Sequence, residues 1–373
     1  MKKILIFTRC TWTLVNFRHD YIKFLENKKC NITIACDYRK LELKNLKEKF
    51  PSVSFKKINF LNKNRSIFRE FKICYQIIKL LITEKFNYIH NFTIRPVIYS
   101  TLIGKILTNA KIVNSITGLG HVFNNKESFF FKSLINIIYI ISNRIIFQNK
   151  DDLDISSYRF LRKYISYSII FPSIKESIKK DYSKIKKKSY KNKKIIFLMF
   201  CRLIKQKGVR EFLNAAQYVC ENYKMNKVQF RLIGEIDQNN PSALSRKELD
   251  QWKKKNYIKI LNHKKNILSE ILKSNIVCLP SYGEGMPASL LEALYLEKAI
   301  ITTNVNGCRE IVKNNFNGYL VKKKDYLSLA NRFLDIINNP RLIKIFGKNS
   351  KKYFEKKFSK NPYSRMYTII NSL

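Results

Sequence analysis

The chain has 373 residues, 45% of them hydrophobic, which is enough to bury the cores of two domains. Its formal net charge is +45, but lysine carries most of the positive charge and is spread along the whole chain. No basic block with interleaved aromatic residues and no nucleic-acid-binding signature stands out, which argues against a nucleic-acid-binding protein.

Cysteine spacing and hydropathy give further limits. Eight cysteines occur without a Cys-x-x-Cys pair, which favours small buried thiols in a reducing cytoplasm over disulfides. Residues 1–10 lack the apolar run of a signal peptide. The most apolar stretch, residues 129–147, is interrupted by Lys132, Asn136 and Arg144. We therefore expect a buried helix running into a strand there, and a protein that is soluble or peripherally bound to a membrane.

The first half of the chain alternates strand-like and helix-like segments. Helices are predicted over 16–28 and 66–84, with a further helix between the fourth and fifth strands. The predicted strands cover 2–8, 31–37, 52–60, 87–92, 111–117, 144–149 and 166–171. Strands that alternate with helices predict a parallel sheet of βαβ units.

A second series of the same kind follows. Its first helix is predicted over 208–223, and its strands cover 193–200, 228–234, 257–261, 274–280 and 298–303. We predict an N-terminal domain over 1–173, a charged linker over 174–193 and a C-terminal domain over 194–356. A last helix, about 357–373, is predicted to pack back on the first domain. Two doubly wound domains facing across a cleft would place their functional loops at the carboxyl ends of the strands.

Two loops of the second domain carry candidate ligand-binding residues. In "CRLIKQKGVREF" (201–212), Arg202 and Lys207 stand between a strand and a helix start, where cations and backbone amides suit a diphosphate. In a lysine-rich chain, a basic loop without function is an equally good interpretation. In "RLIGEIDQNNPSALS" (231–245), Gly234 would permit a tight turn after the strand.

The stretch "LPSYGEGMPAS" (279–289) is a third loop, placed between a strand and a helix. Gly283 and Gly285 would let the backbone approach a ligand, and the amides of residues 286–290 would point at an anion as they open the helix. Glu284 would accept sugar hydroxyls, and Glu292, two helical turns on, would accept a ribose diol. The alternative for Glu292 is an ordinary acid on a helix surface.

Several of these segments resemble one known family. "GEGMPASLLEAL", "CRLIKQKGVREFLNAA" and "GCREIVKNNFNGYLV" are similar to the motifs of the retaining glycosyltransferases of family four, which have the GT-B fold. In the first half, "TWTLVNFRHDYIKFL", "TIRPVIYSTLIGK" and "SITGLGHVF" resemble the subgroup acting on undecaprenyl-diphosphate-linked sugars in bacterial surface glycan synthesis.

The resemblance implies a role for each matching residue. Arg202 and Lys207 would bind the donor diphosphate, Glu284 the transferred sugar and Glu292 the ribose. The whole implied donor-binding set is Arg202, Lys207, Gly234, Glu284, Gly285, Met286, Pro287, Ala288, Ser289 and Glu292. Arg202, Lys207 and Glu284 would also act in catalysis, without a metal ion or a cofactor, because cations and amides stabilise the leaving diphosphate.

In the N-terminal domain, the resemblance implies a loop that covers the donor diphosphate, with Thr13 and Asn16 as candidates. A second loop holds Thr117, Gly118 and His121. His121 would be the acceptor-side histidine of the family, although a loop histidine is more often only structural.

The implied activity is transfer of a hexose or N-acetylhexosamine from a UDP-sugar to a lipid-linked saccharide, with retention, in O-antigen, capsule or other polysaccharide assembly. The implied partners are the donor, the lipid-linked acceptor and the inner face of the plasma membrane, with no nucleic acid. The basic and apolar helix over 66–84 is a candidate membrane contact, and an ordinary domain helix with basic residues facing solvent is an equally good interpretation. A nucleotide-sugar epimerase of the same architecture stays open as an alternative, as does a charge-driven nucleic-acid-binding protein.

Overall fold

The computed structural model describes residues 1–61, 66–118, 128–185, 194–223, 227–237, 240, 242–264 and 266–373. The chain divides into two compact units. Unit 1 comprises Met1–Lys175 and Asn361–Leu373, and unit 2 comprises Glu176–Lys360.

Unit 1 contains one parallel sheet, which has seven strands within the described residues. Their order is β3-β2-β1-β4-β5-β6-β7, so the direction of winding reverses between β1 and β4. At such a switch point the loops at the carboxyl ends diverge and leave room for a ligand. The strands are β1 (Lys3–Cys10), β2 (Asn31–Asp37), β3 (Ser54–Lys57), β4 (Tyr88–Phe92), β5 (Lys111–Ile116), β6 (Arg144–Phe147) and β7 (Tyr167–Ile169).

Helices cover both faces of this sheet. On one face Ile4 and Ile6 of β1 pack with the first helices of the chain, and on the other Leu5 and Phe7 pack with α4. This alternation is the period of two that a strand buried on both sides requires. The helices are α1 (Thr11–Phe17), α2 (His19–Asn27), α3 (Lys40–Lys49), α4 (Ile67–Thr83), α5 (Ile94–Leu107), α6 (Ser128–Ile141) and α7 (Lys150–Ser156), followed by a 3₁₀ turn at Arg159–Tyr164.

Unit 2 repeats the plan with a parallel sheet of six strands within the described residues, in the order β10-β9-β8-β11-β12-β13. Its strands are β8 (Ile195–Phe200), β9 (Val228–Ile233), β10 (Ile258–Leu261), β11 (Ile276–Leu279), β12 (Ala299–Thr303) and β13 (Gly318–Val321). Its helices are α8 (Glu176–Ile185), α9 (Val209–Tyr223), α10 (Arg246–Lys253), α11 (Leu268–Lys273), α12 (Ala288–Tyr295), α13 (Cys308–Ile311), α14 (Tyr326–Asn338) and α15 (Arg341–Lys357), with a 3₁₀ turn at Lys205–Lys207.

A cluster of phenylalanines fills one side of the unit 2 core. Phe197 of β8 and Phe230 of β9 stack with ring centroids 5.0 Å apart, and Phe333 of α14 lies 4.7 Å from Phe197. The predicted fold class, two doubly wound parallel-sheet α/β domains, is confirmed. The sequence reading missed strand β13, which has only four residues and begins at a glycine.

The structure differs from the sequence expectation in the segment predicted as a linker, 174–193. Within its described part, residues 176–185 form helix α8, which belongs to unit 2. Ile178 and Tyr182 lie four residues apart and so share one helix face. The Tyr182 ring packs 5.5 Å from the ring of Tyr295. The segment has three apolar residues, Ile178, Tyr182 and Ile185, and in a lysine-rich stretch this pattern was too weak to reveal the helix.

The last helix, α16 (Pro362–Asn371), belongs to unit 1. The Tyr363 ring lies 5.9 Å from that of Tyr21, Met366 packs against the same core, and Ile370 is fully buried.

All eight cysteines are free thiols. No helix among the described residues is long and apolar enough to cross a membrane, and the stretch 129–147 forms α6 followed by β6, as predicted.

Candidate active site

The three candidate loops of unit 2 follow β8, β9 and β11, which are neighbours in the sheet order β9-β8-β11. Because parallel strands end at the same edge of a sheet, their loops meet there. The structure therefore brings Arg202, Lys207, Gly234 and Glu284 to one edge of unit 2.

Lys207 and Glu284 are in direct contact. The Lys207 Nζ atom lies 2.6 Å from Glu284 Oε1, and the side chains are only 20% and 11% exposed. Glu284 Oε1 also accepts a hydrogen bond from Ser281 Oγ at 2.7 Å. A partly buried carboxylate thus has both a cation and a hydroxyl donor, which hold it in position.

The loops that carry this pair are tied together through Gln206. Its carbonyl oxygen accepts a hydrogen bond from the backbone amide of Tyr282 at 2.9 Å. It also lies 3.0 Å from Ser281 Oγ, whose single proton it shares with Glu284 Oε1. The Tyr282 hydroxyl in turn donates to Glu211 Oε1 of α9 at 2.5 Å. These bonds hold the loop after β8 and the loop after β11 at a fixed distance.

Arg202 is in a more open position. Its side chain is 53% exposed, and Nη1 lies 3.2 Å from Asp237 Oδ2 in the loop after β9. In the same region, Gln206 Nε2 donates to Ser242 Oγ at 2.8 Å. Arg202 is therefore exposed and has a carboxylate partner that an anionic ligand can replace.

The start of α12 supplies fewer free amides than the five predicted from residues 286–290. Pro287 is the N-cap and has no N–H group, so it cannot donate to a phosphate. The Leu290 amide already donates to the Pro287 carbonyl at 3.1 Å. Ala288 and Ser289 occupy the first two helical positions, where amides lack an intrahelical acceptor. These two amides are the best-placed donors of the predicted cradle. Gly285 and Met286 precede them in the loop, and Met286 is 9% exposed.

Glu292 lies in the middle of α12 and is only 8% exposed. It is flanked by the buried residues Leu291 and Ala293. The alternative of an ordinary acid on a solvated helix face is therefore wrong. Its role toward a ribose stays a prediction.

Two glycines outside the 279–289 loop explain how closely the segments approach each other. Gly307 has φ +70°, and a Cβ atom there would lie 2.4 Å from the Gly285 carbonyl oxygen and 2.6 Å from that of Glu284. Gly208 has φ +73°, and its Cβ would lie 2.0 Å from the Pro280 carbonyl oxygen. Neither position has room for a side chain, so both glycines are needed for the packing of the site loops.

Two thiols, the partly buried Cys201 and the buried Cys308, lie close enough to Lys207 and Glu284 to be affected by their charges. Burial raises the pKa of Cys201 to about 12, although Lys207 opposes the shift. Burial, and then the Glu284 charge, raises the pKa of Cys308 to about 12. Both thiols stay protonated near neutral pH and are poor nucleophiles.

The candidate residues of unit 1 follow β1 and β5. Thr13 lies in the first turn of α1, and its hydroxyl donates to the Cys10 carbonyl at 2.7 Å. Asn16 Nδ2 donates to the Trp12 carbonyl at 3.0 Å. Thr117 and Gly118 come directly after β5, and Gly118 has φ +118°. His121 lies outside the described residues.

The sequence prediction gave no role to four residues that shape the loops of the candidate site: Ser281, Asp237, Gln206 and Gly307. Ser281 stands three residues before Glu284, and Asp237 lies in the quoted loop 231–245, so local spacing could have pointed to them. Gln206 acts through its backbone carbonyl, and Gly307 comes from a different loop. No local sequence signal reveals such roles.

The described residues contain no group of three or more His, Cys, Asp or Glu side chains placed to hold a metal ion. The metal-independent chemistry implied by the resemblance stays a prediction.

Comparisons with known proteins cover both units. Residues 3–149 match the family model of glycosyl transferase 4-like domains, and residues 181–353 match that of glycosyl transferases group 1. Among solved structures, sucrose-phosphate synthase from Thermosynechococcus elongatus superposes with a TM-score of 0.76 at 14% identity, covering 100% of this chain and 99% of that one. HepE from Anabaena, solved with UDP, superposes with a TM-score of 0.72 at 14% identity, covering both chains completely.

The family models give the class, a glycosyltransferase, and the solved structures give its fold, GT-B with two Rossmann-like domains. Because the two family models together span most of the chain, the protein belongs to the glycosyltransferase family that they describe. Neither model describes an epimerase or a nucleic-acid-binding protein.

Two relatives show which members of the family it resembles. It is 25% identical over 296 residues to UDP-Gal:alpha-D-GlcNAc-diphosphoundecaprenol alpha-1,3-galactosyltransferase of Escherichia coli, covering 78% of this chain and 76% of that one. It is 28% identical over 235 residues to N,N'-diacetylbacillosaminyl-diphospho-undecaprenol alpha-1,3-N-acetylgalactosaminyltransferase of Campylobacter jejuni. The second alignment covers 61% of this chain and 59% of the relative.

Proposed function

We propose that the protein transfers a hexose or N-acetylhexosamine from a UDP-sugar to a saccharide linked to a polyprenyl diphosphate, with retention of anomeric configuration. The names of the two relatives supply the acceptor class, since both act on sugars linked to diphosphoundecaprenol. UDP as the nucleotide is supported by the E. coli relative's donor and by the UDP bound to HepE.

The observation that carries the proposal is the Lys207–Glu284 contact of 2.6 Å at the edge of the unit 2 sheet. A nucleotide sugar is an anion at its diphosphate and a polyol at its sugar. A lysine and a carboxylate held side by side can serve these two parts separately. On donor binding, Lys207 would turn to the diphosphate, and Glu284 would accept hydrogen bonds from the sugar hydroxyls.

The chemistry then depends on the leaving group. The bond between the anomeric carbon and the diphosphate oxygen breaks, and the bond to the acceptor hydroxyl oxygen forms on the same face. The hydroxyl proton passes to the departing diphosphate. Lys207, Arg202 and the amides of Ala288 and Ser289 would stabilise the charge on that diphosphate, so the mechanism requires no metal ion.

The acceptor sets the place of action. A polyprenyl-linked saccharide is held in a membrane, so we place the enzyme in the cytoplasm, on the inner face of the plasma membrane. There it would serve the assembly of O-antigen, capsule or a related polysaccharide.

The test is a transfer assay with a panel of UDP- and GDP-sugars and a detergent-solubilised polyprenyl-diphosphate hexosamine. Released nucleotide, product mass and the anomeric proton coupling of the product are read, with and without EDTA. Lys207→Ala and Glu284→Ala are compared with Lys253→Ala, which removes an exposed lysine of the same unit.

We expect acceptor-dependent UDP release, a one-sugar mass gain, an α-linked product and no effect of EDTA. Both site variants should lose the activity, and Lys253→Ala should keep it. Consumption of the donor without acceptor, giving an epimer, would favour the epimerase instead. Inhibition by EDTA would overturn the metal-independent mechanism.

A further inference from the structure

Helix α4 of unit 1 carries apolar residues on two faces. Ile73, Ile77 and Leu80 pack into the core with β1. A second row, here called the α4 stripe, consists of Phe68, Phe71, Tyr75, Ile78 and Ile82, which are 80%, 66%, 64%, 36% and 68% exposed. Their spacing of three or four residues places them along one line of the helix. The core needs only the first face.

The neighbouring helices also carry exposed apolar residues. Helix α4 packs against α5, and α5 packs against α6. Ile106 at the end of α5 is 81% exposed, and Phe129 and Phe130 at the start of α6 are 63% and 83% exposed. The α4 stripe is the row among them that follows one helix line, and an exposed apolar row of this kind marks an interaction site.

This exposure is not a general result of the isoleucine-rich composition. In unit 2, the described residues with large exposed apolar side chains are separated along three helices, α9, α14 and α15. They are Tyr223, Tyr326, Leu327 and Ile345. No row comparable to the α4 stripe occurs among the described helices of that unit.

The charges beside the stripe select its partner. Lys72 and Lys79 are exposed on the same helix. The one acid within α4, Glu70, is engaged by Arg95 Nη2 at 2.7 Å and by the Tyr99 hydroxyl at 2.6 Å. The apolar row is thus flanked by cations, a combination that binds anionic lipid surfaces. A second copy of the chain, also with a net charge of +45, would be repelled.

One end of the α4 stripe lies at the sheet edge that carries the candidate loops of unit 1. In a βαβ unit, the helix begins at the carboxyl end of the preceding strand. The start of α4, with Phe68 and Phe71, and the start of α6 are therefore at the same edge of unit 1 as Thr13 and Thr117. A lipid surface along α4 would lie next to the loops expected to meet a polyprenyl-linked acceptor.

We propose that the α4 stripe inserts into the interfacial layer of an anionic phospholipid leaflet, with Lys72 and Lys79 at the headgroups. This inference rests on the proposed function, since a polyprenyl-linked acceptor is what would require it. With 17 residues, α4 is about 25 Å long, so its stripe can lie flat on a bilayer surface.

The direct test is sedimentation of the full chain with vesicles of phosphatidylcholine alone or mixed with phosphatidylglycerol. The variant Phe68→Ser/Phe71→Ser/Ile82→Ser is compared with Tyr326→Ser/Leu327→Ser/Ile345→Ser. All six positions are exposed, so both variants should fold, which unfolding midpoints will verify. A third variant, Lys72→Glu/Lys79→Glu, tests the charge.

We expect the stripe variant to bind mixed vesicles about 100-fold more weakly, and the unit 2 variant to bind like the wild type. The charge variant should lose about ten-fold or more on mixed vesicles and little on neutral ones. Equal losses in the stripe and unit 2 variants would overturn the proposal. So would a wild-type dimer that the stripe variant converts to a monomer, because the stripe would then bind a second copy.

Transfer assays separate this proposal from the proposed function. The stripe variant should keep activity on a short-chain, water-soluble diphosphate acceptor and lose it on a vesicle-bound one. If the wild type transfers sugar to no acceptor but vesicle binding still depends on the stripe, the proposed function fails and the lipid surface stands. If transfer occurs and the stripe has no effect on vesicle-bound acceptor, the lipid surface fails alone.

Discussion

The two units share a parallel-sheet plan but distribute their polar and apolar side chains in opposite ways. Unit 2 directs charged residues to its sheet edge, where Lys207 and Glu284 pair at 20% and 11% exposure. Unit 1 buries mostly uncharged polar residues, with Asp152 as a fully buried acid, and exposes aromatic ones along α4. This difference supports the two proposals, in which a charged small ligand binds unit 2 and unit 1 presents a surface to lipid.

Removing the charge of Lys207 should have the largest effect. We expect Lys207→Met to lower kcat/KM for transfer about 10²–10³-fold, because a preorganised cation at the leaving diphosphate is lost. Glu284→Gln should give a comparable loss while keeping the hydrogen-bonding shape beside Ser281. Steady-state kinetics with saturating acceptor would measure both.

Stability data on the same variants can contradict the pairing itself. Each single change leaves a partly buried charge without its partner, so each should lower the free energy of unfolding by about 1–2 kcal/mol. The double variant should lose less than the sum. Additive losses would mean that the 2.6 Å contact contributes no coupling. The exposed Arg210–Glu248 pair, with Arg210 47% exposed, is the matched control.

Gly307→Ala should have the next largest effect on transfer. The new Cβ would clash with the carbonyl oxygens of Gly285 and Glu284 at 2.4 and 2.6 Å, and φ +70° strains any other residue. We expect transfer to fall about ten-fold or more and unfolding free energy to fall by about 1–3 kcal/mol.

Gly104→Ala is the control for this prediction. It lies within α5 of unit 1, where its Cβ would meet only side-chain methyl groups at 3.2 Å. Alanine is also the better helix former, so transfer should be nearly unchanged. If both glycine variants behave alike in transfer, close packing of the unit 2 loops is not what maintains the site.

The sequence was sufficient for the fold class and for the residue types of the candidate-site loops, but it did not reveal β13 or α8. Apolar strands that alternate with helices are a local pattern, and so is a Gly-Glu-Gly loop before a helix. The Lys207–Glu284 contact joins residues far apart in the chain, and the sequence reading gave the two side chains to different parts of the donor. The role of Gly307 and the engagement of Glu70 by Arg95 depend on packing that no local pattern encodes. Both faces of α4 carry apolar residues, so the sequence did not show which face enters the core. The burial of each residue in the structure distinguishes the two faces.

A third prediction concerns the buried polar network of unit 1. His90 is fully buried, with Nδ1 2.8 Å from the Tyr21 hydroxyl and Nε2 2.8 Å from Ser115 Oγ. Burial, and then the Arg18 charge, lowers the pKa of His90 to about 3. Between about pH 6.5 and pH 3 the unfolded chain binds the extra proton, so stability should fall as the pH falls through this window.

We expect His90→Gln to make unit 1 less sensitive to acid, since glutamine can hydrogen-bond but does not titrate there. The two tryptophans allow each unit to be read alone: Trp12 reports on unit 1 in Trp252→Phe, and Trp252 on unit 2 in Trp12→Phe. Urea midpoints at pH 7 and pH 5 would show the change. An equal loss with acid in His90→Gln and in the parent would exclude His90 as the cause, and His263→Gln, an exposed position in unit 2, is the control.

The smallest expected effect is that of Asp237→Asn. Asp237 lies 3.2 Å from Arg202, whose side chain is 53% exposed, so the pair is screened by water and contributes little to stability. If Arg202 binds the donor diphosphate, Asp237 competes with that ligand. We therefore expect KM for the donor to fall up to about three-fold with kcat unchanged, whereas Asp250→Asn, in an exposed pair of the same unit, should change neither.

The direction of this change is more informative than its size. A lower KM means that the Asp237 carboxylate holds the Arg202 guanidinium away from the donor. Arg202 would then have to leave Asp237 before it binds the diphosphate. A higher KM means instead that Asp237 positions Arg202 for the donor, as Ser281 positions Glu284. In that case the exposed Arg202 would be held in position for the donor as firmly as the partly buried Lys207. The two cations of unit 2 would then no longer differ in preorganisation.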